Sequence, residues 1–139
     1  MNFEKIAAEY NIELHQCQED HWCRNGAHSV GNQIFMHPCD KDYIYELSFW
    51  HELGHVFLGR LMEGCCTHHL CTMSNEGAAW ELGFIEAGKH GRSWDYNSKE
   101  MKWCRKQIAT YVNGEYDDLK EYYKERNNDR ESNRNAKTP

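Results

Sequence analysis

The stretch His51-Glu52-Leu53-Gly54-His55 decides the fold of this chain, because it fixes both a helix and the chemistry that the helix carries. Two histidines four residues apart lie on one face of an α-helix, close enough to hold one metal ion. Neutral imidazole is a common ligand of Zn²⁺, and a carboxylate beside the first ligand can take a proton from metal-bound water. The stretch therefore predicts the metal-binding helix of a zinc hydrolase, with Glu52 as its general base.

The residues around this stretch predict a buried helix from about Tyr43 to Met62. A helix that is apolar on most of its faces is usually buried. The apolar residues here are Ile44, Leu47, Phe49, Trp50, Leu53, Val56, Phe57, Leu58 and Leu61. Buried histidines need partners, so the alternative to a metal site is a pair of hydrogen-bonded core histidines. Gly54 and Gly59 each weaken a helix by about 1 kcal/mol relative to alanine, which indicates close approach by another segment.

The length and composition are those of one globular domain. The chain has 139 residues, of which 40% are hydrophobic, and its formal net charge is −6. A nucleic-acid backbone would require a basic patch instead. No signal-like apolar run follows Met1, and no segment approaches the roughly 20 apolar residues of a membrane-spanning helix. We therefore expect a soluble, cytoplasmic domain over residues 1–126 that binds neither nucleic acid nor membrane directly, and a disordered polar tail over residues 127–139.

The seven cysteines are numerous for this length, and several potential zinc donors crowd one segment after the helix. These are Cys65, Cys66, His68, His69 and Cys71. The absence of an export signal predicts reduced thiols. Three interpretations remain open: a second structural metal site, a redox-sensitive thiol cluster, or an ordinary loop with incidental cysteines. Further histidines and cysteines upstream are expected to be scattered surface or half-buried residues. They are His15, Cys17, His21, Cys23, His28 and His37.

The rest of the pattern predicts an α+β domain. Asn2 to Tyr10 has apolar residues at helical spacing, and Ile12 and Leu14 alternate with polar residues. Asn25-Gly26 is a strong turn signal, and Ser29 to His37 is strand-like again. We expect a short antiparallel sheet packed on the metal-binding helix, with three or four further helices.

A second helix, predicted from Glu76 to Ala87, matters because two histidines leave a catalytic zinc one protein ligand short. Glu76 lies 21 residues after His55, far enough for the chain to reverse and bring a helix alongside. Small residues on one face of this helix would permit a close approach. They are Ala79, Gly83 and Ala87. Glu76 is the favoured third ligand; Glu81, which points to a different face, and Glu86 are the alternatives.

A third helix is predicted after a polar loop. Ser98 should cap it, and apolar residues at helical spacing define its buried face. They are Met101, Cys104, Ile108 and Val112. A developing oxyanion in the reaction would require another hydrogen-bond donor. The candidates are His68, His69, His90, Tyr43, Tyr45 and Tyr111.

The metzincin arrangement is excluded, because Leu58 and Leu61 occupy the positions of its glycine and its third histidine. The order of parts instead resembles the ImmA/IrrE-type zinc metallopeptidases, the IrrE N-terminal-like domains of bacteria, phages and other mobile elements. The similar segments are Gly31–Met36, Tyr45–Gly59 and Glu76–Gly83, the last matching the family's Glu-x-x-Ala pattern. The resemblance implies zinc bound by His51, His55 and Glu76, with Glu52 as the base.

This resemblance implies a small zincin-like domain of the gluzincin type that cleaves a protein. Its target would be a regulator in a phage or mobile-element context. The alternative is a non-catalytic zinc-containing module that sequesters a partner protein, and a hydrolase of non-peptide bonds would use the same residues. Glu52 favours catalysis, since a scaffold needs the metal ligands but not the base.

Overall fold

The computed structural model describes residues 1–17, 27–61 and 69–111, together with Lys124, Glu125 and Asn128, and only the backbone of residues 69–74. The elements are α1 (Phe3–Glu9), β1 (Glu13–Gln16), β2 (Ala27–Val30), β3 (Gln33–Met36), α2 (Asp42–Leu61) and α3 (His69–Lys89). Residues 99–111 are also helical and are named α4 here. The predicted α+β class, with three further helices beside α2 in the described ranges, is confirmed.

Helix α1 begins at a capped end, as the pattern at Asn2 to Tyr10 predicts. The Asn2 side chain accepts a hydrogen bond from the backbone N–H of Lys5 at 3.0 Å, which satisfies a donor that the helix itself leaves unpaired. Ile6 and Ala7 are buried. Asn11 then takes a left-handed conformation with φ 57°, which asparagine tolerates better than most residues. This conformation turns the chain towards β1.

The sheet is mixed, so the predicted antiparallel sheet is wrong. The strand order is β1-β3-β2, with β3 parallel to β1 and antiparallel to β2. The prediction took Ser29 to His37 as one strand, but Gly31 and Asn32 turn the chain between β2 and β3. Gly31 has φ 57°, as the first loop residue of a tight hairpin often requires. Strands β1 and β2 do run in opposite directions, but β3 lies between them. The predicted turn at Asn25-Gly26 lies outside the described residues.

Helix α2 lies at the centre of the fold and is buried on most of its faces. Phe49, Trp50 and Leu53 have no exposed surface. The inner face of β3 packs in the same core through Ile34 and Met36. The bounds of α2 agree closely with the predicted helix. The histidines and carboxylates on its remaining face are therefore held on a rigid, well-packed element.

Two glycines let the backbones of α2 and α3 touch. A Cβ atom on Gly54 would lie 1.8 Å from the carbonyl oxygen of Ala79, and one on Gly83 would lie 2.2 Å from that of Trp50. Neither space admits a side chain. We name this contact the glycine seam. It confirms the close approach predicted from Gly54 and from the small residues of α3. A Cβ atom on Gly59 would have no neighbour within 4 Å among the described residues, so that part of the chain shows no such approach at Gly59.

Helix α3 is longer than predicted at both ends. It begins at His69 rather than Glu76, since neither glycine nor proline interrupts the residues between them. It passes through Gly88 and stops at Gly91, which has φ 77°. The backbone N–H of Arg92 donates to the carbonyl of Ala87 at 2.9 Å, and that of Gly91 to the carbonyl of Gly88 at 3.0 Å. This is the Schellman arrangement.

Part of the cysteine-rich segment belongs to α3. His69 and Cys71 lie in helical backbone, so the interpretation as an ordinary loop is wrong for these two positions. The alternative interpretations depend also on Cys65, Cys66 and His68, which lie outside the described residues. The second metal site and the thiol cluster therefore stay hypotheses.

Helix α4 begins as predicted, with the Ser98 hydroxyl accepting a hydrogen bond from the N–H of Met101 at 3.2 Å. Cys104 is 1% exposed, and burial raises the pKa of its thiol to about 12. Val112 lies outside the described residues, as does the predicted tail over 127–139 apart from Asn128. None of the helices in the described part of the chain combines the length and hydrophobicity needed to span a bilayer.

Candidate metal centre

The side chains of His51, His55 and Glu76 converge where α2 and α3 touch. The Nε2 atoms of the two histidines are 3.1 Å apart. The Glu76 carboxylate lies 2.8 Å from Nε2 of His51 and 3.2 Å from Nε2 of His55. Within the described ranges, no other three histidine, cysteine, aspartate or glutamate side chains come this close together. The favoured set of three ligands is therefore assembled in space.

These distances suit a single small metal ion. Ligand atoms bound to tetrahedral zinc at 2.0–2.1 Å lie about 3.3 Å from one another. The observed separations are shorter by a few tenths of an ångström, so slight outward movement of three side chains would make room for the ion. His51, His55 and Glu76 can thus bind a metal ion and leave a fourth position open.

The charges in the group favour a bound cation. Burial lowers the pKa of His55, but the adjacent carboxylates of Glu76 and Glu52 raise it by more, so the net shift is upward. Burial raises the pKa of Glu76, but its contacts with both histidines lower it to about 2. Glu76 therefore keeps its negative charge at neutral pH, and a cation bound between the three side chains would be attracted to it.

The three side chains lie in a cavity of about 900 Å³. Its floor is one face of α2 from Ser48 to Arg60, a length of about 18 Å at 1.5 Å per residue. One wall is formed by β2 and the turn that follows it. The other wall is formed by residues of α3 and α4. They are Trp80, Trp103, Gln107 and Tyr111. The metal-binding group lies midway along this groove.

Glu52 is a further buried carboxylate of the same groove. It is 7% exposed, lines the groove between the two histidines in sequence, and its charge contributes to the raised pKa values of His55 and Tyr111. It is not one of the three convergent ligand side chains. The site thus separates a metal-binding group from one further carboxylate, as the sequence predicts.

The alternative third ligands lie elsewhere. Glu81 is exposed on another face of α3. Glu86 is 8% exposed, and its carboxylate accepts hydrogen bonds from the Tyr10 hydroxyl at 2.6 Å and from Lys89 at 2.7 Å. Both alternatives are therefore wrong in position, and Glu76 is the carboxylate that meets the histidines.

Among the oxyanion-donor candidates with described side chains, Tyr111 is the one that lines the groove. Burial raises the pKa of its phenol, and the nearby charges of Glu76 and Glu52 raise it further. The hydroxyl therefore keeps its proton and can donate. Tyr43, Tyr45 and His90 lie outside the groove lining. His68 and the side chain of His69 are not described.

The sequence interpretation missed the role of Trp80. Its ring lies against the His51 imidazole, with centroids 4.2 Å apart and planes 30° from parallel. Its position four residues after Glu76, on the same helix face, was the available signal. His15 and His28 flank Phe35 in the sheet, and both are half-buried as expected, as are Cys17 and His37. His21 and Cys23 lie outside the described residues.

The chain's own sequence thus accounts for this local arrangement, which consists of the glycine seam, the three convergent side chains and the groove around them. Comparison with protein-family models, with curated proteins and with solved structures gives no match for this chain.

Proposed function

We propose that this chain is a zinc-dependent metalloprotease. The observation that carries the proposal is the convergence of His51, His55 and Glu76 in a groove that Glu52 also lines. Two imidazoles and one carboxylate with an open fourth position are typical of catalytic zinc. The resemblance of the sequence to ImmA/IrrE-type metallopeptidases supports the same assignment.

Zinc at this site would supply a Lewis acid and lower the pKa of a coordinated water to about 7. Glu52 accepts the proton of the attacking water and later delivers it to the leaving amine. Tyr111, across the groove, donates a hydrogen bond to the carbonyl oxygen of the substrate as negative charge develops there. The three ligands and the glycine seam hold these groups in place.

The shape of the groove supports a peptide substrate. Strand β2 is an edge strand in the described part of the chain, and Ala27, His28 and Ser29 line the groove. An extended peptide can add to such an edge through main-chain hydrogen bonds. A groove of about 18 Å accommodates roughly five residues at 3.3 Å per residue. In keeping with the resemblance, the proposed substrate is a regulatory protein of a phage or mobile element in the cytoplasm.

The first test is metal content after purification without added metal. We expect one zinc per chain in the wild type and in Glu52→Gln, but none in His55→Ala. Glu81→Gln is the matched control, because Glu81 is an exposed carboxylate on α3. Wild-type protein that stays metal-free when zinc is supplied would contradict the metal site.

The second test separates catalysis from binding. Each zinc-loaded variant is incubated with a mixture of synthetic peptides, and new termini are identified by mass spectrometry. Glu52→Gln should cut about 10²- to 10⁴-fold more slowly than the wild type, since it removes a general base, while Glu81→Gln should cut normally. If Glu52→Gln has the full biological effect of the wild type, the protein is a zinc-containing binding module instead.

A further inference from the structure

The imidazole of His51 is enclosed by aromatic rings on two sides. The Trp80 indole lies 4.2 Å away at 30° to the imidazole plane, close to a stack. The His55 ring lies 4.5 Å away at 79°, nearly edge-on. His51 is 8% exposed. Its ring can therefore rotate only if Trp80 or His55 moves.

No described residue gives His51 the hydrogen bond that usually orients a metal-binding histidine. Such a histidine normally donates its second ring N–H to a carboxylate, a carbonyl or a water. In the described part of the chain, the buried Nδ1 of His51 has no hydrogen-bond partner. Glu76 and His55 contact the Nε2 side of the ring, and the Trp80 stack is the contact that can fix the plane of the imidazole and so the direction of Nε2.

Trp80 is itself well fixed. It is 4% exposed and packs with Leu47 and Cys104. Phe84 lies 5.6 Å from its ring on α3, and Trp103 lies 6.1 Å away on α4. The indole is thus held from several sides and offers the imidazole a rigid surface.

A purely structural role does not account for the choice of tryptophan. The buried Nε1 of Trp80 has no hydrogen-bond partner among the described residues, and an unpaired buried donor lowers stability. Phenylalanine would fill a core position without that cost. The larger, electron-rich indole face is what tryptophan adds, and that face lies against His51.

We propose that Trp80 is a positioning residue of the metal centre, whose indole face holds the His51 imidazole in its ligand orientation and stabilises it when it binds a cation. Metal binding withdraws electrons from the imidazole, and an electron-poor ring is attracted to an indole face as a cation is. The stack is therefore stronger in the metal-bound state than in the metal-free state. This inference rests on the proposed metal site.

The test compares three variants. Trp80→Leu removes the aromatic face, and Trp80→Phe retains one. Phe84→Leu is the matched control, because it removes a ring that touches Trp80 but is not in contact with His51. Affinities for Zn²⁺ and Co²⁺ are measured by competition with a chromophoric chelator, and the visible absorption of bound Co²⁺ reports the ligand geometry. Thermal unfolding of each metal-free variant shows whether it is folded.

We expect Trp80→Leu to bind both metals about tenfold more weakly or worse, as loss of an outer contact of a ligand commonly does, and to show an altered Co²⁺ spectrum. Trp80→Phe should restore the spectrum and bind within about threefold of the wild type. Phe84→Leu should match the wild type. If Trp80→Leu does not fold, Trp80→Met, which fills similar space without a ring, replaces it in the comparison.

Wild-type affinity in Trp80→Leu or Trp80→Met would overturn the inference while the metal site stands. An equal loss in Phe84→Leu would also overturn it, since general packing of the cluster would then be the cause. Wild-type protein that binds neither metal would overturn the metal site and this inference together.

Discussion

Helix α3 carries a half-buried carboxylate, Glu76, and a buried one, Glu86, and their partners differ in kind. Glu86 accepts hydrogen bonds from the Tyr10 hydroxyl and the Lys89 ammonium, which are donors at neutral pH whatever else is bound. Glu76 faces His51 and His55, whose Nε2 atoms donate only when they carry a proton. The Glu86 group is complete as it stands, whereas the Glu76 group could also be completed by an added cation.

The difference shows how a functional site can be told from a structural one on a single helix. Burial and a lowered pKa are common to both carboxylates, so neither property identifies the metal centre. The decisive property is whether the partners satisfy the carboxylate without help. Substitutions at and between the two carboxylates test this difference.

The largest effect is expected from Glu76→Gln. An amide is a poor zinc ligand, so the affinity for Zn²⁺ should fall by about 100-fold or more. Glu86→Gln, a matched change ten residues along the helix, should leave that affinity unchanged. Competition with a chelator measures both. Equal losses in the two variants would erase the distinction between the carboxylates.

The glycine seam lies between the two carboxylates, and Gly83→Ala tests whether it sets their positions. The added methyl would collide with the carbonyl of Trp50, so the free energy of unfolding should fall by about 1–3 kcal/mol or more. Gly88→Ala is the control, since a Cβ atom there would meet no other segment within 4 Å in the described part of the structure. It should raise stability by up to about 1 kcal/mol. Urea unfolding of the metal-free proteins measures both, and an undiminished stability in Gly83→Ala would contradict the seam.

Glu86→Gln should lower the free energy of unfolding by about 1 kcal/mol at pH 7. Burial raises the pKa of Glu86, but the hydrogen bonds from Lys89 and Tyr10 lower it by more. A carboxyl with a lowered folded-state pKa stabilises the protein above its unfolded-state pKa, and that stability is lost as the pH falls through the folded-state value. The difference between the wild type and Glu86→Gln should therefore shrink below about pH 4.3. Urea unfolding at pH 7, 5 and 3.5 measures it, and a difference that grows in acid would refute this account.

The smallest effect is a release of protons when zinc binds. The raised pKa of His55 means that a fraction of the metal-free protein carries a proton there at pH 7, and the metal must displace it. Calorimetry in buffers with different ionisation enthalpies should detect protons released as zinc binds. Glu76→Gln, which removes the main cause of the raised pKa, should release fewer. An unchanged number would mean that Glu76 does not control the proton.

The parts of the site that could be predicted are those fixed by helical spacing. His51 and His55 meet because side chains four residues apart share a helix face. Glu76 joins them because small residues recur on α3 and admit the backbone of α2. Both inferences depend only on residues close in sequence and on one helix-to-helix contact.

The predictions that were wrong or missing concern which distant segments of the chain come together. Residues 29–37 alternate like one strand, and only the left-handed Gly31 shows that they form two. The insertion of β3 between β1 and β2 is a choice of partners that alternation does not encode. Spacing within α3 puts Trp80 on the same helix face as Glu76, but the stack of its ring on His51 also depends on the side-chain conformations of both residues, which spacing leaves open.

The glycine seam also determines which parts of this protein can change in evolution or in the laboratory. Main-chain atoms set the spacing of α2 and α3 at Gly54 and Gly83, so the ligand geometry does not depend on the side chains of β2. That wall of the groove can vary without displacing the three ligands. A library that randomises Ala27 and Ser29 should therefore alter peptide preference while zinc affinity stays constant.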